Sequence, residues 1–158
     1  MNRVSKHNYY LDIAETVAER GTCLRRNYGA IIVKNDEIIS TGYNGAPRGR
    51  KNCTDLGYCM REKLNIPRGE RYELCRSVHA EQNAICQAAR RGIALEGATL
   101  YCRMTPCRTC AMLIINCGIR RVVCERKYHN GKDSEDMFAQ AGIEIEFFHD
   151  EIEKYENQ

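Results

Sequence analysis

Apolar and polar positions recur along this chain with two periods. A period of about 3.6 residues predicts helices, and a period of about two residues predicts strands. Apolar residues at helical spacing predict a first helix over residues 5–20, and two apolar runs around the turn-forming pair Asn35-Asp36 predict a β-hairpin with strands at 29–33 and 37–41. Helices are expected at 79–91, 107–117 and 133–140, and strands at 99–103, 121–124 and 143–147.

This order of elements predicts an α/β fold. Strand and helix alternate after residue 98, so the second half of the sheet is expected to be parallel and covered by helices. A chain of 158 residues has room for one domain, which we assign to residues 1–158. Residues 45–76 show no period, and a loop of that length is expected to be functional or held by a metal. The polar tail after His149 is expected to be exposed.

Composition excludes several classes of protein. The net charge of +3 is too small to indicate a nucleic-acid-binding protein. No apolar run has the length of a membrane span, and the N-terminus has no apolar run of the signal-peptide type, so a cytoplasmic enzyme is expected. Ten cysteines are the unusual feature. In a reducing compartment, clustered cysteines indicate metal or catalytic sites more often than disulfides.

Two short segments carry the candidate chemistry: His79-Ala80-Glu81 and Pro106-Cys107-Arg108-Thr109-Cys110. Both are predicted to begin a helix, where the partial positive charge of the helix end favours thiolates. One imidazole and two thiolates, from His79, Cys107 and Cys110, form a set that Zn²⁺ accepts. Three protein ligands leave the fourth position for water, as in catalytic zinc sites.

Glu81 is the candidate acid–base residue, because it lies in the first helical turn beside the open zinc position. Zinc lowers the pKa of a bound water molecule. Glu81 would take a proton from that water, pass it to ring N3 of a cytosine-type base, and then protonate the departing amine. A lone Cys-x-x-Cys also suits a redox pair or half of a structural zinc site, and a lone His-x-Glu occurs by chance. Together, in this order, the two motifs match the zinc-deaminase signature.

On these motifs the sequence resembles the cytidine/deoxycytidylate deaminase superfamily, and the deoxycytidylate (dCMP) deaminases in particular. Further similar segments are Thr41 to Gly49, Thr22-Cys23-x-Arg25 leading into Gly29 to Val33, and His79 to Ile85. The resemblance implies a three-layer α/β/α fold with a mixed five-stranded sheet and helices on both faces. It implies a zinc-dependent hydrolase that converts dCMP to dUMP and ammonia for thymidylate synthesis.

The resemblance also assigns roles to residues outside the two motifs. Asn44 is expected to bond the sugar or base, Ala80 to give a backbone contact to the pyrimidine, and Tyr128 to lie near the sugar. Arg25 and Arg26 are candidates for the 5′-phosphate, although a solvated surface pair is the alternative. Relatives of this kind imply a hexamer regulated by dCTP and dTTP, for which the matching residues are Gly45, Arg48, Gln87 and Arg90.

A second, structural zinc is implied by the same relatives. Its candidate ligands are Cys23, Cys53, Cys59 and Cys75, four thiolates that would close a tetrahedral site and tie the long loop to the first helix. Reduced, partly buried thiols are the alternative. The other four cysteines, expected to be core residues, are Cys86, Cys102, Cys117 and Cys124.

Other functions stay open. A deaminase of another cytosine nucleoside or nucleotide, such as dCTP or cytidine, would use the same motifs. A tRNA adenosine deaminase would share both motifs, but it would lack the cysteine-bearing stretch of residues 50–76 and need a more basic face for RNA. A zinc-stapled binding module without catalysis would have no need of Glu81 over an open zinc position. We therefore expect a small-molecule nucleotide as the substrate, and we do not expect a nucleic acid or a membrane as a partner.

Overall fold

The computed structural model describes residues 3–149 and 152–153. These residues form six helices, six strands and one 3₁₀ turn, which lies at Tyr72–Leu74 between the third and fourth helices. The helices are α1 (Lys6–Ala18), α2 (Cys53–Leu56), α3 (Met60–Lys63), α4 (Ala80–Arg90), α5 (Arg108–Asn116) and α6 (Lys132–Gln140). The strands are β1 (Gly29–Lys34), β2 (Glu37–Tyr43), β3 (Thr99–Met104), β4 (Arg121–Tyr128), β5 (Glu144–Phe147) and β6 (Ile152–Glu153).

The sheet is mixed, as predicted. Its strand order is β2-β1-β3-β4-β5, with β1 antiparallel to both β2 and β3. The pairs β3–β4 and β4–β5 are parallel, and Cys102 on β3 lies opposite Cys124 on β4. A two-residue strand, β6, pairs with β4 in the segment for which the sequence predicts a polar tail. Two residues are too short to give a periodic signal, so the pattern does not predict this strand.

Helices cover both faces of the sheet because successive strand residues point to opposite sides. Ile31 and Val33 pack with Tyr10, Leu11 and Ala14 of α1 on one face. The other face carries a larger core, to which α4, α5 and α6 contribute; its fully buried members include Ala30, Ile32, Ala84, Leu100, Ile114 and Phe138. The predicted three-layer α/β/α arrangement is therefore confirmed.

The aperiodic stretch of residues 45–76 is mostly loop, with two one-turn helices and the 3₁₀ turn. It nevertheless buries Cys53, Cys59 and Arg61, so it packs against the rest of the chain and is not a free surface loop.

Three cysteines that the sequence places in the core lie in regular elements of the fold. Cys102 and Cys124 are buried as predicted, but Cys86 is exposed because it lies on the outer face of α4. No described helix has both the length and the apolar character needed to cross a membrane. The assignment of residues 1–158 to one domain stays a prediction.

Candidate active site

The two motifs stand at the N-termini of neighbouring helices. His79 directly precedes α4, and its backbone N–H donates to the Gln82 Oε1 atom (3.0 Å), which fixes the first turn. Cys107 directly precedes α5, and its Sγ accepts from the backbone N–H of Cys110 (3.5 Å). Free N–H groups and the helix dipole make both positions favourable for negative charge.

Three side chains from these turns converge on one point. The Nδ1 atom of His79 lies 3.5 Å from Cys107 Sγ and 3.4 Å from Cys110 Sγ. Zn–S bonds of about 2.3 Å and Zn–N bonds of about 2.0 Å in a tetrahedron require S to N distances of about 3.5 Å. Among the described residues, these three alone place their donor atoms close enough together, within 4.8 Å, to hold one metal ion. The donor set and its spacing therefore fit zinc.

The pKa values in this cluster reflect crowded, buried ionisable groups. The pKa of Cys107 falls to about 4, chiefly because the Cys110 thiol donates a hydrogen bond to it, with a further contribution from His79. The same hydrogen bond and burial raise the pKa of Cys110. Burial lowers the pKa of His79, but its contacts with the Cys107 thiolate outweigh this and leave the pKa raised. A divalent cation would stabilise both thiolates and offset the cost of burying them.

Glu81 lies next to the metal-ligand set without belonging to it. Its Oε2 atom is 3.7 Å from Cys110 Sγ, and it faces a cavity of about 120 Å³, which we call the catalytic cavity. Burial raises the pKa of the Glu81 carboxyl, while the neighbouring His79 lowers it in part. A carboxyl whose pKa is raised toward neutrality is suited to take and return a proton.

Three residues expected to touch substrate line the catalytic cavity: Asn44, Ala80 and Tyr128. Ala80 is buried at the start of α4. The Asn44 side chain also holds the chain before β1, because its Oδ1 accepts from Tyr28 N–H (2.8 Å) and its Nδ2 donates to the Arg26 carbonyl (2.9 Å). These two hydrogen bonds use one oxygen lone pair and one amide hydrogen of Asn44, a side chain that can accept two hydrogen bonds and donate two.

Arg25 and Arg26 do not line the catalytic cavity. They line a neighbouring cavity instead, and the Nε atom of Arg25 forms an ion pair with Glu62 (3.2 Å). The four residues matched to an effector site, Gly45, Arg48, Gln87 and Arg90, do share one groove of about 320 Å³. Arg20 and Arg50 also line that groove, which makes it strongly basic.

The four cysteines expected to bind a structural zinc lie near one another. Burial raises the pKa of Cys53 and of Cys75, and the neighbouring thiols raise both further. Their sulfur atoms nevertheless do not form a group of three at metal-ligand spacing. The structural zinc therefore stays a prediction.

Sequence reasoning missed two residues of the site. The Tyr72 ring meets the His79 ring edge-on, with centroids 5.5 Å apart, and the Arg61 guanidinium lies 4.7 Å from the Tyr72 ring centre. Both line the catalytic cavity. They come from the aperiodic stretch, and the position of Arg61 two residues after Cys59 is the only local hint.

Comparison with known proteins agrees with this geometry. Residues 4–126 match the family model described as the cytidine and deoxycytidylate deaminase zinc-binding region. A deoxycytidylate deaminase of Schizosaccharomyces pombe is 34% identical over 143 residues, which cover 90% of this chain and 44% of that protein. This chain thus spans less than half the length of the yeast relative. A deoxycytidylate deaminase of enterobacteria phage T4 is 35% identical, with 89% of this chain and 88% of that protein covered.

A solved structure shares the fold along nearly the whole chain. The dCMP deaminase of cyanophage S-TIM5, in complex with dCMP and dUMP, matches with a TM-score of 0.73 and 27% identity, covering 96% of this chain and all of that one. The zinc-type donor set, the adjacent carboxylate, the family match and the shared fold lead to one assignment. The chain belongs to the cytidine and deoxycytidylate deaminase family, defined by its zinc-binding region.

Proposed function

We propose that this protein hydrolyses dCMP to dUMP and ammonia. The observation that carries the proposal is the Glu81 carboxyl beside the His79, Cys107 and Cys110 donor set, facing an open cavity. The relative that shares the fold is described in complex with dCMP and dUMP. Because dCMP and dUMP would be the substrate and product of the proposed reaction, this complex supports a nucleotide substrate over a free nucleoside.

Different residues of the chain would bind the metal, transfer protons and position the substrate. Zinc held by His79, Cys107 and Cys110 would supply a Lewis acid that acidifies a water molecule. The Glu81 carboxylate would take the proton from that water and deliver it to ring N3, which makes C4 electrophilic. After the water oxygen has added to C4, Glu81 would take the proton of the new C4 hydroxyl and pass it to the amine, which leaves as ammonia when the C4–N bond breaks. Ala80 and Asn44 would position the pyrimidine and its sugar, and Tyr128 would close one side.

The test measures ammonia release from dCMP, dCTP, deoxycytidine and tRNA by the wild-type protein and by Glu81→Gln. We expect dCMP to be the best substrate, and we expect Glu81→Gln to lose about 100- to 10,000-fold in turnover, the usual contribution of acid–base catalysis. Zinc content of the variant should be unchanged. Full activity in Glu81→Gln would refute the proton transfer, and a preference for tRNA would replace the substrate.

We also propose that dCTP and dTTP bind in the basic groove around Arg48 and Arg90. This proposal is supported by the fact that all four residues matched to an effector site line this one groove. Arg20 and Arg50 line it too and would add positive charge to bind a triphosphate. An activity curve against dCMP that does not respond to either nucleotide would remove the proposal. A homo-hexamer and a cytoplasmic location stay predictions, and sedimentation would test the first.

The structural zinc is proposed because the four thiols are neighbours: burial first, and then Cys23 and Cys59, raise the pKa of both the buried Cys53 and the half-buried Cys75. A second cation would stabilise them as thiolates. Metal analysis should then give two zinc ions per chain in the wild type and one in Cys53→Ser. One zinc in both proteins would refute the second site.

A further inference from the structure

The catalytic cavity lies between the end of the sheet and the starts of two helices. His79, Glu81 and Cys107 line it from the N-termini of α4 and α5. Tyr28, directly before β1, and Met104, the last residue of β3, line it from the sheet. A flat ligand in this cavity would therefore have the metal-ligand side chains on one face and the end of the sheet on the other.

The alternation of side chains along the strands gives the direction of the Tyr28 ring. Successive side chains point to opposite faces of a sheet, so Tyr28 shares a face with Ala30 and Ile32. Both belong to the core that α4, α5 and α6 cover, and the partly buried Tyr28 packs against the same core. On β3, Met104 alternates in step with Cys102, another member of that core. Tyr28 and Met104 therefore face the helices that carry the zinc motifs.

Asn44 holds the backbone of Tyr28 at both of its polar groups. Its Oδ1 atom accepts from the Tyr28 N–H (2.8 Å), and its own backbone N–H donates to the Tyr28 carbonyl (3.2 Å). Asn44 is buried, and the adjoining residues pair between β1 and β2, with Gly29 opposite Tyr43. A binding surface that is already held in place loses little conformational entropy when a ligand arrives. The Tyr28 ring is thus a preorganised wall of the cavity.

The proposed reaction determines how the pyrimidine must lie. An oxygen that adds to C4 of a planar ring approaches from above the ring, so one face of the base must point toward His79, Cys107 and Cys110. The opposite face then points toward the end of the sheet, where Tyr28 lies. Aromatic side chains bind planar bases well, because every base has a π-face. Support of the far face would also keep C4 within reach of the attacking oxygen.

We propose that Tyr28 stacks on the face of the pyrimidine that is turned away from the metal ligands, and that this contact selects a flat, aromatic base. The inference rests on the proposed function, because it places the ring relative to the atom that is attacked. Two other tyrosines line the same cavity from different sides. The Tyr72 ring meets the His79 ring edge-on, with centroids 5.5 Å apart, and Tyr128 ends β4. Tyr28 enters from the middle of the sheet, because β1 lies between β2 and β3.

The first experiment measures binding of dUMP, the product of the proposed reaction, by calorimetry. The proteins are the wild type, Tyr28→Ala, Tyr28→Phe and the control Tyr9→Ala, since Tyr9 is 53% exposed and does not line the catalytic cavity. Loss of a base–aromatic stack predicts about 5- to 150-fold weaker binding in Tyr28→Ala. Tyr28→Phe keeps the ring and should bind like the wild type, as should the control. Wild-type affinity in Tyr28→Ala, or an equal loss in Tyr28→Phe, would overturn the proposal.

The second experiment separates stacking from a general loss of structure. It repeats the titrations with 5,6-dihydro-dUMP, whose base is saturated at C5 and C6 and is neither flat nor aromatic. The wild type should prefer dUMP to this analogue, and Tyr28→Ala should lose most of that preference while its zinc content stays unchanged. A damaged site would weaken both ligands alike, so a preference that survives in Tyr28→Ala would contradict the contact. Loss of zinc would also contradict it, because Tyr28 would then support the metal site.

Neither titration depends on turnover, so the inference and the proposed function fail separately. If the wild type releases no ammonia from dCMP but binds dUMP through Tyr28, the proposed reaction fails and the stacking contact stands. If dCMP is deaminated and Tyr28→Ala binds dUMP like the wild type, only the contact is refuted. If Tyr28→Ala does not fold, Tyr28→Leu keeps apolar volume without the aromatic ring. An unchanged preference for dUMP over its dihydro analogue in that variant would then refute the contact.

Discussion

Gly42 on β2 sets the position of the helix that carries the candidate catalytic residues. A Cβ atom at Gly42 would lie 2.3 Å from the Ala80 carbonyl oxygen and 2.3 Å from the Ala84 backbone nitrogen. Both atoms belong to the backbone of α4, so no flexible side chain can move aside. Ordinary contact begins near 3.4 Å, and Gly42→Ala must therefore displace the first turn of α4 by about 1 Å.

The expected loss of activity and stability follows from the residues in that turn of α4. His79 and Glu81 lie on either side of Ala80, and a misplacement of about 1 Å at a reacting group costs about 100-fold in rate. We therefore expect Gly42→Ala to lower dCMP turnover by about 100-fold and to weaken zinc retention. Overpacking should also lower the free energy of unfolding by about 1–3 kcal/mol.

The matched control is Gly92→Ala, just beyond the C-terminal end of the same helix. Gly92 has a φ of +67° and no neighbouring atom within 4 Å of the position that an alanine Cβ would occupy, so alanine strains the backbone by about 1–2 kcal/mol without pushing α4. Turnover and zinc content are measured together with urea unfolding for both variants. If Gly42→Ala keeps wild-type turnover and zinc, and is no less stable than Gly92→Ala, then β2 does not position the site.

Three further predictions concern stability and the metal. Tyr10 donates to Asp36 Oδ1 (2.6 Å), so Tyr10→Phe should lower the free energy of unfolding by about 1 kcal/mol at neutral pH, whereas Tyr9→Phe, more than half exposed, should change it little. This hydrogen bond raises the pKa of Tyr10 to about 12. Its contribution to the free energy of unfolding is therefore complete below about pH 10 and is lost as the pH rises toward 12. A stability difference between the wild type and Tyr10→Phe that stays constant across that pH range would contradict the assignment. Phe138→Ala empties a fully buried position on α6 and should cost about 3–5 kcal/mol in urea unfolding, against little for the exposed Met112→Ala. Removing zinc with a chelator should abolish deamination and lower the melting temperature, and added zinc should restore both; activity that survives complete metal removal would contradict the site.

The fold is largely predictable because its elements have clear periods. The strand residues 30–33 are apolar on both sides, as expected for a strand covered by helices on two faces, and the two zinc motifs have local spacings that a helix start accommodates. His79 and Cys107 can therefore be placed at helix N-termini from their neighbours in the sequence alone.

The remaining part of the site depends on contacts that the sequence does not display. Arg61 and Tyr72 come from a stretch without a period, and only tertiary packing brings them against His79. Arg25 and Arg26 are adjacent in sequence to the substrate segments but open into a different cavity from Glu81. Cysteine counting indicates four further zinc ligands, but counting cannot show whether their sulfur atoms converge.

The most direct test of the account is a crystal structure recorded at the zinc absorption edge. We predict an anomalous peak bonded by Nδ1 of His79 and by the sulfur atoms of Cys107 and Cys110, with a solvent molecule in the fourth position and the Glu81 carboxylate beside it, outside the ligand set. The absence of a peak at these three atoms, or a fourth protein atom that closes the site, would contradict a catalytic zinc centre between α4 and α5.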